Sequence, residues 1–195
     1  MHDERFERAR SLIDEANSSD PDRVDVGEGP VPASLLYGQR MSAELESFAA
    51  GTSPLVQLAV RAQHIERWKI PRRSHPSGRR GYLVWRRAAA QWHAERLSEI
   101  ARTAGYSSSE VSKLANIVRK AGARTDPDAQ LVEDVACLVF LRYYLVEFAQ
   151  RTDPNRLIIV LRKTWRKMSQ PARDRALALP HAPAQRALLT RALGE

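Results

Sequence analysis

Five histidines occur in the chain, and two of them, His64 and His93, stand where a side chain can do chemistry. His93 belongs to the row Arg86, Ala89, Ala90, His93, Leu97, Ile100, Ala104, the core-facing stripe of a helix, with small residues just before it. His64 borders the apolar stripe of its own predicted helix, in Gln63-His64-Ile65-Glu66-Arg67-Trp68. A third residue, Asp134, follows Glu133 and precedes seven apolar residues. A carboxylate in such a place is costly to bury unless it is paired with a cation or a metal. His64, His93 and Asp134, with Glu133 beside it, therefore form a candidate metal or acid–base set, one residue on each of three helices. The alternative is that each histidine is a core residue bonded to a carboxylate or carbonyl, and that Asp134 pairs with an arginine. His2, His75 and His181 fall in a tail, a loop and a turn, where solvation is expected.

A basic and aromatic cluster accompanies the histidines. Arg67, Trp68, Lys69, Arg72, Arg73, Arg79, Arg80, Tyr82, Trp85, Arg86 and Arg87 crowd into 21 positions. Guanidinium forks match phosphate and carboxylate, and flat aromatic rings stack on bases. The competing account makes the tryptophans core anchors with arginines snorkelling around them. Residues 1–50 hold 11 acidic and 5 basic side chains, whereas residues 61–102 hold 11 basic and 3 acidic ones. That asymmetry polarises the field of a chain of net charge +8 and favours phosphate-bearing ligands at one region.

Helices must position these groups. Phe6, Ala9, Ile13 and Ala16 give a helix over residues 3–17, and Leu36, Met41, Leu45 and Phe48 one over 33–49, with a loop between. Ser53-Pro54 opens a helix predicted to run until just before Pro71. A basic loop leads to a helix over 82–104, closed by Gly105. Ser107 and Glu110 have capping-box spacing. Asp126-Pro127 and Asp153-Pro154 open further helices, and short ones are predicted near 171–178 and 182–193. No strand alternation of useful length appears, so the expected fold is all-α, one domain over residues 1–195. One cysteine, 43% apolar residues, a charged start and no apolar run of about 20 residues predict a cytoplasmic protein without disulfides or membrane spans.

Several stretches resemble a family of proteins of unknown function, sometimes labelled glutamyl-tRNA synthetase. They are Leu36-Tyr37-Gly38-Gln39-Arg40-Met41-Ser42, Arg61 to Trp68 with Ile70-Pro71-Arg72, Gly81-Tyr82-Leu83 with Trp85-Arg86, His93-Ala94-Glu95, Leu131 to Leu141, and Leu161 to Ser169. The synthetase label fails a physical test: there is no strand–glycine loop–helix context, and 195 residues cannot hold a nucleotide-binding domain plus tRNA-binding parts.

A more distant resemblance is to the HD-domain metal-dependent phosphohydrolases. It implies an HD-like helical bundle with His64, His93 and Asp134 as surviving ligands. Tyr37 stands where the first histidine is expected, Ile65 where the paired aspartate is, and Lys120 near a later histidine. The three survivors would hold one divalent ion (Mn, Fe, Zn or Mg) and acidify its water. Alternatively the helical shell has lost its metal and binds an anion directly. The expectation is a phosphohydrolase of a phosphate ester or nucleotide, with Tyr37, Arg40, Arg67, Trp68, Arg72, Tyr82, Trp85, Arg86 and Lys120 as substrate contacts. The rival is a non-catalytic nucleotide- or RNA-binding module using the same surface.

Overall fold

The computed structural model describes residues 4–123, 125–181 and 183–193. It is all-α apart from one small ribbon. His2, Arg124 and Ala182 lie outside the described residues. The chain divides into two units, Met1–Val132 and Glu133–Glu195.

In the first unit, α1 (Glu4–Ser18) buries Ala9, Ile13 and Ala16 at the spacing its sequence shows. The segment after it holds an antiparallel ribbon, β1 (Arg23–Asp25) and β2 (Pro30–Pro32), with Val24 opposite Val31. Three-residue strands are too short to show alternation, so a loop was the natural expectation there. Asp20 ties the ribbon to the next helix, accepting from Ser34 N at 2.9 Å and Ser34 Oγ at 2.6 Å. α2 (Ala33–Phe48) and α3 (Pro54–Arg61) follow.

α3 ends at Arg61, well before Pro71. Beyond it, tertiary bonds replace the helical ladder: Gln63 Nε2 donates to Val118 O, and Glu66 N donates to Asn17 Oδ1. Glu66 takes left-handed dihedrals (φ 50°), which end helical propagation. His64 therefore sits in a turn rather than within a long helix. A 3₁₀ turn at Arg67–Lys69 and another at Arg72–Ser74 lead to α4 (Gly78–Ala104). α4 starts four residues earlier than predicted. A Cβ on Gly81 would overlap the Pro76 carbonyl, so only glycine lets the incoming loop lie on the helix there. Gly105 closes α4 in the left-handed conformation, and α5 (Ser108–Arg119) opens with the Ser107–Glu110 capping box. α4 packs on α5 and α1, and α3 on α5, α2 and α1. Ile13, Met41, Leu58, Ile65, Leu97, Leu114 and Ile117 are fully buried, each worth about 1.5–3 kcal/mol relative to exposure.

The second unit begins within α6 (Pro127–Val139) and continues through a π-helical turn at Phe140–Tyr144 into α7 (Leu145–Gln150). Val135, Leu138, Val139 and Leu141 of this apolar stretch are buried. Asp153 caps α8 (Pro154–Lys167), accepting from Asn155 N and Arg156 N. α9 (Gln170–Ala178) and α10 (Pro183–Leu193) complete it, with α10 against α8 and α7. His181 is buried and bonds Ala176 O at 2.6 Å, so it is a helix-end anchor and not the solvated residue its turn suggested.

Candidate functional site

The site lies in the first unit and begins with a missing side chain. A Cβ on Gly38 would stand 2.8 Å from Arg61 O, so glycine lets the end of α3 approach α2 closely. Arg61 is fixed by a two-pronged pair with Asp14, at 2.7 and 2.8 Å. Tyr37, next to Gly38, then stacks on His64 with ring centroids 4.0 Å apart and planes 20° apart.

His64 Nε2 lies 2.8 Å from Arg67 Nη1. Arginine has no acceptor, so the imidazole accepts here and its proton resides on Nδ1. The Arg67 guanidinium also lies over the Trp85 ring, 4.8 Å from its centroid. Trp85 Nε1 donates to Ile70 O at 2.8 Å, and Tyr82 packs beside it at 5.7 Å. A continuous series of contacts thus runs from half-exposed Tyr82 through Trp85 and Arg67 to His64.

His93, on α4, is 4% exposed, and its ring centroid is 5.8 Å from that of His64. Its Nδ1 bonds Ile65 O at 2.9 Å, so Nδ1 is the donor and neutral Nε2 keeps its lone pair. That buried Nε2 has no hydrogen-bond partner among the described residues. Lys120, in left-handed conformation (φ 55°) at the end of α5, and Arg86 add positive charge.

Burial pulls both histidines toward the neutral form. For His64 burial acts first, with Arg67, His93, Lys120 and Arg86 adding to it, and the group lies well below its ordinary value. His93 is lowered to about 4, chiefly by burial, which overrides the opposing bond to Ile65; Arg67 and Lys120 lower it further. The stability consequence has a definite sign. Above about pH 6.5 both folded and unfolded His93 are neutral, and no linkage arises. As pH falls from about 6.5 toward 4 the unfolded chain takes up the proton first, and stability drops. Urea titrations at pH 7 and pH 4.5 are expected to show His93→Gln losing about 2 kcal/mol less than the native chain over that interval. Equal losses would show that His93 does not titrate this way.

The other expected residues are placed as follows. Arg40 is half-buried one turn along α2 from Tyr37, and Trp68 is half-buried in the 3₁₀ turn. Arg72 bonds His75 O at 2.9 Å and Gly78 O at 3.5 Å, so it shapes the basic loop. Glu66, whose side chain is 5% exposed, is paired with Lys69 at 2.7 Å and Arg96 at 3.1 Å. In the second unit, Asp134 accepts from Ser169 N at 2.8 Å and from Ser169 Oγ at 2.6 Å, and Glu133 pairs with Lys167 at 2.9 Å. Sequence reasoning did not mark Gly38 or the Ile65 carbonyl. A glycine beside a tyrosine within an amphipathic helix was the available signal for the first; a backbone carbonyl leaves none.

The first-unit arrangement groups two neutral imidazoles with Arg67, Arg86 and Lys120, and the carboxylate of Glu66 is engaged by its own cations. The set carries net positive charge around the buried Nε2 of His93. Among the described residues no group of three or more His, Cys, Asp or Glu side chains converges as metal ligands, and no helix is long and apolar enough to cross a membrane. No curated protein and no solved structure matches the chain. The profile of DUF4202 matches residues 7–189, nearly the whole length, and the chain belongs to that family, a domain of unknown function.

Proposed function

We propose that the first unit binds a phosphate ester or nucleotide beside His64 and hydrolyses it with His93 as the base. The observation that carries this reading is the buried, partnerless Nε2 of His93 next to Arg67 and Lys120, with Arg86 acting on the neighbouring His64. Phosphate oxygens accept from the guanidiniums and the ammonium. Tyr82, 43% exposed, provides flat surface for the organic part, and buried Trp85 holds Arg67 in place from beneath. Bound phosphate offsets the cations that help to hold His93 low, so the ligand itself moves Nε2 toward the range where it takes protons. Water then attacks phosphorus, its proton passes to Nε2, the ester P–O bond breaks, and the His93 imidazolium returns that proton to the leaving oxygen. Burial, with Arg67 adding to it, keeps His64 neutral, so the second imidazole adds no like charge beside an imidazolium.

Calorimetric titration with inorganic phosphate and nucleoside monophosphates, alongside phosphate-release assays on a panel of monoesters, tests this. Arg67→Ala is expected to weaken phosphate binding about thirtyfold, equivalent to about 2 kcal/mol. Binding without release would favour the nucleotide-binding module instead. Neither binding nor release would remove the reading.

One observation favours a second reading, a divalent ion on His93. A histidine that donates from one nitrogen to a carbonyl and presents the other bare is how metal-bound imidazoles are oriented. Against it, His64 Nε2 already accepts from Arg67, and both Asp134 oxygens accept from Ser169. About one Mn, Fe, Zn or Mg per chain in the purified protein, lost in His93→Ala, would support this second reading.

A further inference from the structure

From Arg67 to Ala94 the chain carries eight arginines and lysines and no carboxylate at all. Lys69 finds Glu66, Arg67 finds His64, and Arg72 finds backbone carbonyls. Arg73, Arg79, Arg80, Arg86 and Arg87 are exposed, and no carboxylate pairs with them among the described residues. Elsewhere in this unit Arg5, Arg10, Arg61 and Arg96 pair with carboxylates. Four of the five lie on the first three turns of α4 in two rows, Arg79 with Arg86 and Arg80 with Arg87. Seven residues separate the members of each row, about 10 Å along the helix. At about 100° per residue Leu83 lies between the rows, Tyr82 flanks the Arg79–Arg86 row and Val84 the Arg80–Arg87 row; Leu83, Tyr82 and Val84 are 52%, 43% and 51% exposed.

We infer that this face of α4, with Arg73 of the preceding turn, binds single-stranded nucleic acid. The inference goes beyond the proposed hydrolysis and stands whether or not the His93 site turns over. Phosphates of one strand would alternate between the arginine rows, while unpaired bases meet Tyr82 and its aliphatic neighbours. A duplex keeps its bases stacked inside and gains nothing from the apolar side chains that alternate with the arginine rows. An acidic peptide would leave the same apolar side chains facing water. Insertion into an anionic membrane is disfavoured because the large apolar side of α4, including Trp85, Ala89 and Leu97, is already buried in the unit.

The test uses the full chain and a labelled 12-nucleotide oligo-U, with binding read by fluorescence anisotropy between 50 and 200 mM KCl. Five phosphate contacts predict a slope of log K against log salt of about −3.5. In Arg73→Ala/Arg79→Ala/Arg80→Ala/Arg87→Ala the slope is expected to fall to about −1. The matching lysine variant retains most of the slope. Tyr82→Ala leaves the slope alone and weakens binding about tenfold. All these side chains are exposed, and circular dichroism confirms that each variant is folded. Binding to a 12-base-pair duplex, to polyglutamate or to anionic vesicles that equals or exceeds oligo-U binding would overturn the inference, as would variants that bind like the native chain.

Discussion

Replacing His93 with glutamine is expected to lower kcat on a hydrolysed phosphate ester by about 10²–10⁴-fold while changing phosphate affinity by no more than about twofold. Glutamine can still donate to the Ile65 carbonyl, so the packing around position 93 survives. It has no basic nitrogen to receive the proton of the attacking water. The split between kcat and binding separates a base from a merely structural histidine, whose loss would weaken both. The pH profile adds a second readout. The acidic limb of kcat reports His93 in the complex, with its neighbouring cations partly offset by phosphate, and that limb should vanish in the variant. A fall in kcat below about tenfold would remove His93 from the reaction.

The largest effect on stability is expected from Glu66, and it depends on which partner is removed. The carboxylate side chain is 5% exposed, whereas Lys69 and Arg96 keep 46% and 35% of theirs. Deleting the anion leaves two cations that water can still reach. Deleting both cations leaves a buried, uncompensated carboxylate, at a cost of about 3–5 kcal/mol. Urea unfolding of Lys69→Ala/Arg96→Ala should show that loss, and adding Glu66→Gln should return most of it. If the triple variant is no more stable than the double, the burial of Glu66 is not what the cations offset. The effect bears on the site because Glu66 follows Ile65, whose carbonyl orients His93.

Much of the fold was legible because its helices start and stop on local chemistry. Ser53-Pro54, Ser107 with Glu110, and Asp153-Pro154 open helices as their spacing predicts, and Gly105 closes one. The early end of α3 was not legible, since Asn17 and the Val118 carbonyl, distant in sequence, hold the turn that replaces it. The site divides along the same line. His64, His93, Tyr37, Arg67 and Trp85 meet through ring and hydrogen-bond contacts, with the charges of Arg86 and Lys120 close by, and residue type was enough to suggest most of them. Which hydrogen bond each would make was hidden. Arg72 turns to its own loop, Asp134 accepts from the amide and hydroxyl of Ser169, and His181 bonds a helix carbonyl. Short polar side chains choose partners by proximity in the fold, and no local pattern encodes that.

The contact between Gly81 and the Pro76 carbonyl sets a rule of length. The loop carrying Arg73 meets α4 where there is no room for even one methyl group, and only four residues intervene between the touching positions. A residue added or removed there would have to break the contact, and it would turn Arg79 and Arg80 about 100° around the helix relative to the loop. Relatives that keep this packing are therefore free to vary residue type at positions 77, 79 and 80, but not at Gly78, whose φ is 77°, nor in the number of residues.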